Sequence, residues 1–317
     1  MILIYIALIV IGIIILVAGA EYLVRGASSI ARKKGISTIV IGLTVVAFGT
    51  SAPEFVVNVV SSYQGATDLA IGNIVGSNLA NILLILGIGA TIKTLRVKGG
   101  TTFKEIPFAL LAIAMVALMG NDVFFEGVGG NTIGRIDGII LLAFFAIFMY
   151  YTYGISKVQG EKEGVSTYSW SRSISMFVLG MVGLTIGGKI IVDNATELAT
   201  LAGISQSLIG FTIVAIGTSL PELATTIVAI RKGHTDLAIG NAIGSNIFNV
   251  FWVLGISAII RPLPFNVNGN IDVLFTTAAT LMLFIVIFIH KKYTIQRWQG
   301  ITFIAIYAGY ITYAIIR

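Results

Sequence analysis

Gly49-Thr50-Ser51-Ala52-Pro53-Glu54 recurs as Gly217-Thr218-Ser219-Leu220-Pro221-Glu222, each copy set inside a long apolar stretch. Downstream, Asp68-Leu69-Ala70-Ile71-Gly72-Asn73 answers to Asp236-Leu237-Ala238-Ile239-Gly240-Asn241. Gly76-Ser77-Asn78 with Asn81 answers to Gly244-Ser245-Asn246 with Asn249. The spacing stays at 168 residues without a gap. About 30 of the 56 positions from Gly35 to Ala90 are identical to their partners between Gly203 and Ala258, more than shared hydrophobicity would give. The chain is a duplicated unit, and each copy carries an acid where acids are costly and by default functional.

The 317 residues are 56% hydrophobic and 11% charged, with a mean hydropathy of +0.97, which places the chain among membrane proteins. A bilayer crossing needs about 20 mostly apolar residues. Ten such runs are present, at 2–22, 36–62, 69–91, 104–120, 137–156, 174–193, 204–230, 237–260, 271–290 and 298–316. The expected fold is therefore all-α and membrane-embedded, with ten transmembrane helices in two five-helix repeats, 1–156 and 174–317, joined by a solvated linker at 157–173. That linker is too short to fold as a regulatory domain. Ala18-Gly19-Ala20 resembles a signal cleavage site, but no basic segment precedes the first run, so it reads as a mature helix.

The net charge of +6 belongs to topology, not to nucleic acid. Assigning loops alternately to two sides gathers sixteen Lys and Arg on one, among them Arg25, Lys93, Arg96, Lys98, Lys232, Lys291 and Arg297. Only Arg135, Arg261 and Arg317 fall on the other, with Lys189 near a helix end. The rich side reads as cytoplasmic in a cell-membrane protein, which leaves both termini outside. Five spans per copy is an odd number, so the second copy enters the membrane inverted, and inverted repeats mark secondary transporters with a site at the midplane.

Within the second span, Pro53 has no amide hydrogen to give the Gly49 carbonyl, so the helix should break near Gly49 to Ser51. Carbonyls freed around Ala47 to Thr50, and around Ala215 to Thr218, are tolerated at membrane depth only in protein or beside a polar cavity. If the copies meet, Glu54 and Glu222 converge with the oxygens of Thr50, Ser51, Thr218 and Ser219. Two carboxylates among neutral oxygens suit calcium, which takes about 6 to 8 oxygen ligands. Magnesium holds its water more tightly, and softer metals would want His or Cys ligands. The chain has no cysteine, which also excludes disulfides and iron–sulfur clusters.

Ser77 and Asn81, like Ser245 and Asn249, stand four apart on one helix face and can point at the same centre. Gly72, Gly76, Gly240 and Gly244 serve either that centre or close helix packing. Asp68 and Asp236 open helices and read as caps. His234 and His290 fall at span ends as interface residues.

These paired Gly-to-Glu and Gly-Ser-Asn segments resemble the α-repeats of the calcium/cation antiporter superfamily, specifically its sodium/calcium exchanger branch, across the whole layout. The proton/calcium branch resembles it less. The resemblance implies antiport of Ca2+ against Na+ with no cofactor, and Ca2+ bound by Glu54, Glu222 and the carbonyls of Thr50 and Thr218. It implies Na+ at Ala47, Ser51, Glu54, Ser77 and Asn81, and at Ala215, Thr218, Ser219, Glu222, Ser245 and Asn249. Asn249 stands where potassium-dependent relatives carry Asp, which argues against potassium cotransport and keeps two acids at the centre. The rival readings are a proton/calcium antiporter and a passive cation channel lined by the same groups. A hydrolase using Ser51 or Ser219 lacks a membrane-depth His or Lys to activate the serine.

Overall fold

A computed structural model of the chain describes residues 2–127, 130–157, 167–203, 215–266 and 269–316. Within them the protein is helical: α1 (Ile2–Lys34), α2 (Thr38–Thr50), α3 (Ala52–Gln64), α4 (Thr67–Ile92), α5 (Thr101–Met119), α6 (Asp122–Glu126), α7 (Arg135–Ser156), α8 (Trp170–Leu201), α9 (Ala215–Thr218), α10 (Leu220–Arg231), α11 (Thr235–Ile260), α12 (Gly269–Val286) and α13 (Arg297–Ile316). Eight of these are long and apolar enough to cross a membrane, and the bent pair α2–α3 makes a ninth. The chain is a multi-pass membrane protein. Residues 204–214, the first part of the expected seventh span, and most of the expected linker (158–166) lie outside the described residues.

Burial divides the spans sharply. The apolar windows of α4 and α11 are each 78% buried, whereas that of α1 is 17% buried. The two helices carrying the Gly-Ser-Asn motifs thus form the centre, and the outer helices turn Ile, Leu and Val outward where lipid would meet them.

α1 and α8 run far past the apolar runs that announce them, and they pack along their whole length. Gly12 lies against Gly187 and Ile191, Gly19 against Gly183 and Leu184, Gly26 against Phe177. Contact positions fall on one helix as they rise on the other, so the pair is antiparallel. A Cβ on Gly19 would sit 2.7 Å from the Leu184 nitrogen, and one on Gly187 2.6 Å from that of Leu16, so only glycine permits this approach. Lys189, expected near a helix end, lies well inside α8, where it pairs with Asp193 at 2.9 Å.

Two short antiparallel strand pairs staple the halves: β1 (Leu95–Arg96) with β4 (Thr294–Ile295), and β2 (Thr132–Ile133) with β3 (Leu263–Pro264). Each joins one half to the other. Gly240 and Gly244 resolve as packing residues, since a Cβ on either would lie 2.6 to 2.7 Å from the carbonyls of Ile39 or Leu43 in α2.

Candidate functional site

The α2–α3 pair bends by 46° at Ser51, whose backbone (φ −80°, ψ 6°) has left the helix, with Pro53 in the first turn of α3. The break therefore falls where proline chemistry requires it, but the Ala47 carbonyl is not freed. It accepts the Ser51 amide at 2.9 Å and the Thr50 hydroxyl at 3.4 Å. In the other copy the Ser219 amide bonds the Ile216 carbonyl at 3.1 Å, one residue nearer. Ala215 contributes backbone to α9, and its side chain is outside the described residues.

Both carboxylates are sealed from solvent, Glu54 at 1% exposure and Glu222 at 0%. Serines cross-link them between copies: Ser51 Oγ donates to Glu222 Oε1 at 3.2 Å, and Ser219 Oγ to Glu54 Oε1 at 3.5 Å. Within each copy, Ser77 donates to Glu54 Oε1 at 3.5 Å and Ser245 to Glu222 Oε1 at 3.3 Å. Every one of these bonds has its counterpart 168 residues on, as an approximate two-fold axis through the centre would produce. Thr50 Oγ1 donates to Asn241 Oδ1 at 3.0 Å, and Thr218 Oγ1 to Asn73 Oδ1 at 3.3 Å. The threonine hydroxyls are thus engaged across the copies.

Beside the acids lies an asparagine lattice that the spacing alone did not assign. Asn78 Nδ2 donates to the Asn246 carbonyl at 3.1 Å, and Asn246 Nδ2 to the Asn78 carbonyl at 3.2 Å. Asn81 Nδ2 donates to Asn246 Oδ1 at 2.9 Å, and Asn249 Nδ2 to Asn78 Oδ1 at 3.1 Å. With both nitrogens committed, the oxygens of Asn81 and Asn249 are held on the opposite side of each amide. Both asparagines sit where α4 and α11 loosen into π-helical turns, Ala80–Ile85 and Asn249–Leu254, a distortion common at functional sites.

Among the described residues, four buried oxygens here accept nothing: Glu54 Oε2, Glu222 Oε2, Asn81 Oδ1 and Asn249 Oδ1. Buried acceptors are nearly always satisfied, and an unpaired carboxylate oxygen costs most of all. The donor set is all oxygen, and no cluster of three or more His, Cys, Asp or Glu occurs among the described residues. Such a set fits a hard cation.

The other acids behave differently. Asp68 and Asp236 stand in the first turns of α4 and α11, where the helix dipole favours an acid as expected, but two residues past the cap position. The residues before those helices, Ala66 and His234, lack side-chain caps. Asp68 is exposed, whereas Asp236 is 7% exposed and its carboxylate meets Lys98 Nζ at 2.6 Å. His290 stands in an exposed turn with φ 68°.

The sodium/calcium exchanger protein family model matches residues 4–154 and 172–316. The chain is 32% identical to the sodium/calcium exchanger MaX1 of Methanosarcina acetivorans, covering 88% of this chain and 89% of that one. It is 35% identical to the putative antiporter CaxA of Alkalimonas amylolytica, covering 88% of each. Structures of the sodium-calcium exchanger NCX_Mj superpose with a TM-score of 0.85 at 32% identity, over 98% of this chain and 99% of that one. With the family model and these relatives matching nearly its whole length, this chain belongs to the sodium/calcium exchanger family of membrane cation antiporters.

Proposed function

We propose that the chain exchanges Na+ for Ca2+ by alternating access, and that Glu54 and Glu222 hold either ion type in turn. The single observation carrying this reading is the quartet of buried oxygens without partners, two carboxylate and two amide, related in pairs by the repeat. Two carboxylates balance one Ca2+, and the carbonyls of Thr50 and Thr218 add neutral ligands. Na+ takes overlapping positions: Ser51, Ser77, Asn81, Ser219, Ser245 and Asn249, with the backbones of Ala47 and Ala215 flanking. For a serine to ligate Na+, its hydroxyl turns a lone pair toward the ion and keeps its proton on the carboxylate, an arrangement the observed Ser-to-Glu bonds already favour. A ligand shifts a conformational equilibrium only by its differential affinity. Full sets of either ion would therefore favour occlusion, and an empty charged site would oppose it.

In this reading ten spans form two inverted repeats, 1–156 and 174–317, with 157–173 as linker and both termini outside the cell membrane. Three observations support the inversion. α1 and its counterpart α8 pack antiparallel. The strand pairs β1–β4 and β2–β3 are counterparts formed by loops assigned to opposite faces. Observed contacts join residues assigned to one side: Glu21 with Lys232 at 2.9 Å, Asp236 with Lys98, and Arg261 against Gly65. The exposed α1–α8 pair is the gate that moves against the core. Ser51 and Ser219 have hydroxyls committed to carboxylates, which suits ligation and not hydrolysis.

Radiolabelled Ca2+ uptake into sealed vesicles tests this. Uptake should require Na+ inside and should not follow from a proton gradient substituted for it. Ca2+ entry without Na+ would establish a channel, and entry on the proton gradient alone a proton antiporter. Glu54→Gln and Glu222→Gln should each abolish exchange, and exchange surviving in both refutes the shared site.

A further inference from the structure

On the face assigned to the cytoplasm, a cavity of about 670 Å³ opens beside the β1–β4 strand pair, and four cationic side chains line it: Lys93, Arg96, Lys291 and Arg297. We propose that this cavity binds the phosphates of an anionic membrane phospholipid, with the two phosphates of a cardiolipin headgroup as its charge match.

None of the four cations pairs with a carboxylate among the described residues. The nearest acid in sequence to the wall, Asp236, is already held by Lys98. Arg297 is braced by donating from Nη2 to the Ile92 carbonyl at 3.4 Å, so one guanidinium is fixed at the rim. Thr235, the first residue of the long helix α11, also lines the cavity. It brings the N-terminal amides and the positive end of a helix dipole to the same space, a setting that receives phosphate. Arginine forks engage phosphate oxygens in pairs, and lysine adds point charge.

An excess of basic residues on this face is what topology alone demands, so the count decides nothing. Their company does. Lys33 and Lys34 lie over the Trp170 ring, Lys104 over Tyr151, Lys157 over Tyr153 and Arg172 over Tyr168. Among the described residues the four cavity cations have no such partner and share one cavity, a repulsive arrangement unless an anion joins them. The duplication sharpens the point. In the sequence of the counterpart loops, the equivalent positions are Arg261, Pro264, Gly129 and Arg135. The fold repeats, but two of the four charges do not.

Depth selects a lipid over a soluble anion. The cavity lies level with helix ends, after Ile92 and before Arg297, and its lining residues Thr294 and Arg297 are adjoined in sequence by the exposed rings of Tyr293 and Trp298, as aromatics gather at the headgroup layer. Basic pockets between helices on the cytoplasmic side suit polyanionic headgroups. Because one wall comes from each half, a bound headgroup would tie the cytoplasmic ends of α4, α11 and α13 together.

The test is cardiolipin retention by the purified full chain, read by native mass spectrometry and by thermal unfolding in detergent. Cardiolipin, phosphatidylcholine and inorganic pyrophosphate are the probes. A variant combining Lys93→Gln, Arg96→Gln, Lys291→Gln and Arg297→Gln should retain cardiolipin at least tenfold less and lose its stabilisation by that lipid. A charge-matched control, Lys33→Gln, Lys34→Gln, Lys157→Gln and Arg172→Gln, should behave as wild type. The double variant Arg96→Gln with Lys291→Gln should show a partial loss, which covers the case of a poorly folded quadruple variant. Equal loss in the control, or full retention in the double variant, overturns the proposal. So does saturation by pyrophosphate with no preference for the lipid, which would make the ligand a soluble anion.

Discussion

Asn78→Ala is the sharpest probe of how the site is held, because Asn78 touches neither carboxylate. Its side chain is 2% exposed and makes two bonds across the copies, giving Nδ2 to the Asn246 carbonyl at 3.1 Å and taking Asn249 Nδ2 on Oδ1 at 3.1 Å. Alanine leaves the buried Asn249 Nδ2 unpaired, whereas the Asn246 carbonyl keeps the Asn249 backbone amide, so the loss should be about 1 to 3 kcal/mol of stability. The functional loss comes by a second route. Without Asn78, nothing commits the Asn249 nitrogen to one side, and its oxygen no longer has a fixed bearing. The two acids remain, so Ca2+ binding should weaken about tenfold, or about 1.4 kcal/mol, and should not vanish.

Calcium affinity by titration calorimetry and thermal unfolding of the same samples give both numbers. The discriminating measurement is a double-mutant cycle. If Asn78 acts by orienting Asn249, adding Asn249→Ala to Asn78→Ala should cost little further affinity, whereas independent roles would add. The pair Asn246→Ala with Asn81→Ala should reproduce the pattern, since the bonds are reciprocal. Additive losses in both cycles, or unchanged calcium affinity in Asn78→Ala, would refute the orienting role.

Gly187→Leu should destabilise the α1–α8 pair by about 1 to 3 kcal/mol and slow exchange, because its Cβ meets backbone and not a side chain that can turn away. Thermal unfolding with Ca2+ flux reads both, and wild-type flux would mean that the close approach is dispensable. Lys98→Ala strands the carboxylate of Asp236, but Lys98 is 40% exposed, so screening limits the loss to about 1 kcal/mol. A fall in melting temperature that disappears in high salt is the expected signature. Free Ca2+ at 100 times its dissociation constant should stabilise the protein by about 2.7 kcal/mol. Glu222→Gln should remove that shift, and a shift surviving in it would place calcium elsewhere.

Hydropathy alone could not rank the spans. α4, α5 and α11 share a value of 1.8, yet α5 is 44% buried and the other two 78%. What marked the centre was the type of polar residue, since Ser77, Asn81 and their copies have no partner in lipid and must face protein. The same logic found Glu54, Glu222, Ser51 and Ser219, and each lands in one bonded cluster. Asn78 and Asn246 escaped because each follows its serine by one position, about 100° around the helix, and so belongs to another face. Their partners are each other, which only the meeting of the copies discloses. Asp68 and Asp236 both lie in their helices' first turns, but the Asp236 carboxylate is claimed by a loop cation from the other half, Lys98, which local pattern could not disclose. The first apolar run ends near residue 22, but α1 continues to Lys34 because Gly26 and Ser29 still pack on α8.

The duplication is uneven in one place behind the acids. Asn58 in α3 gives Nδ2 to the Ala70 carbonyl at 3.0 Å and receives Asn73 Nδ2 at 2.7 Å, so Asn73 is pinned while its oxygen serves Thr218. The counterpart of Asn58 is Thr226, and there the arrangement is missing: among the described residues Asn241 Nδ2, Thr225 Oγ1 and Thr226 Oγ1 are buried without partners. Asn241, which accepts the Thr50 hydroxyl, is therefore braced on one side only. Thr226→Asn would offer Asn241 the amide oxygen that Asn58 offers Asn73, at nearly the same side-chain volume. Satisfying a buried donor should return about 1 to 3 kcal/mol, so the variant should melt higher than wild type. If the looser half is what lets the site open, its exchange should also be slower. A lower melting temperature, with Asn58→Thr leaving the protein unaffected, would show that the brace has no energetic weight in either copy.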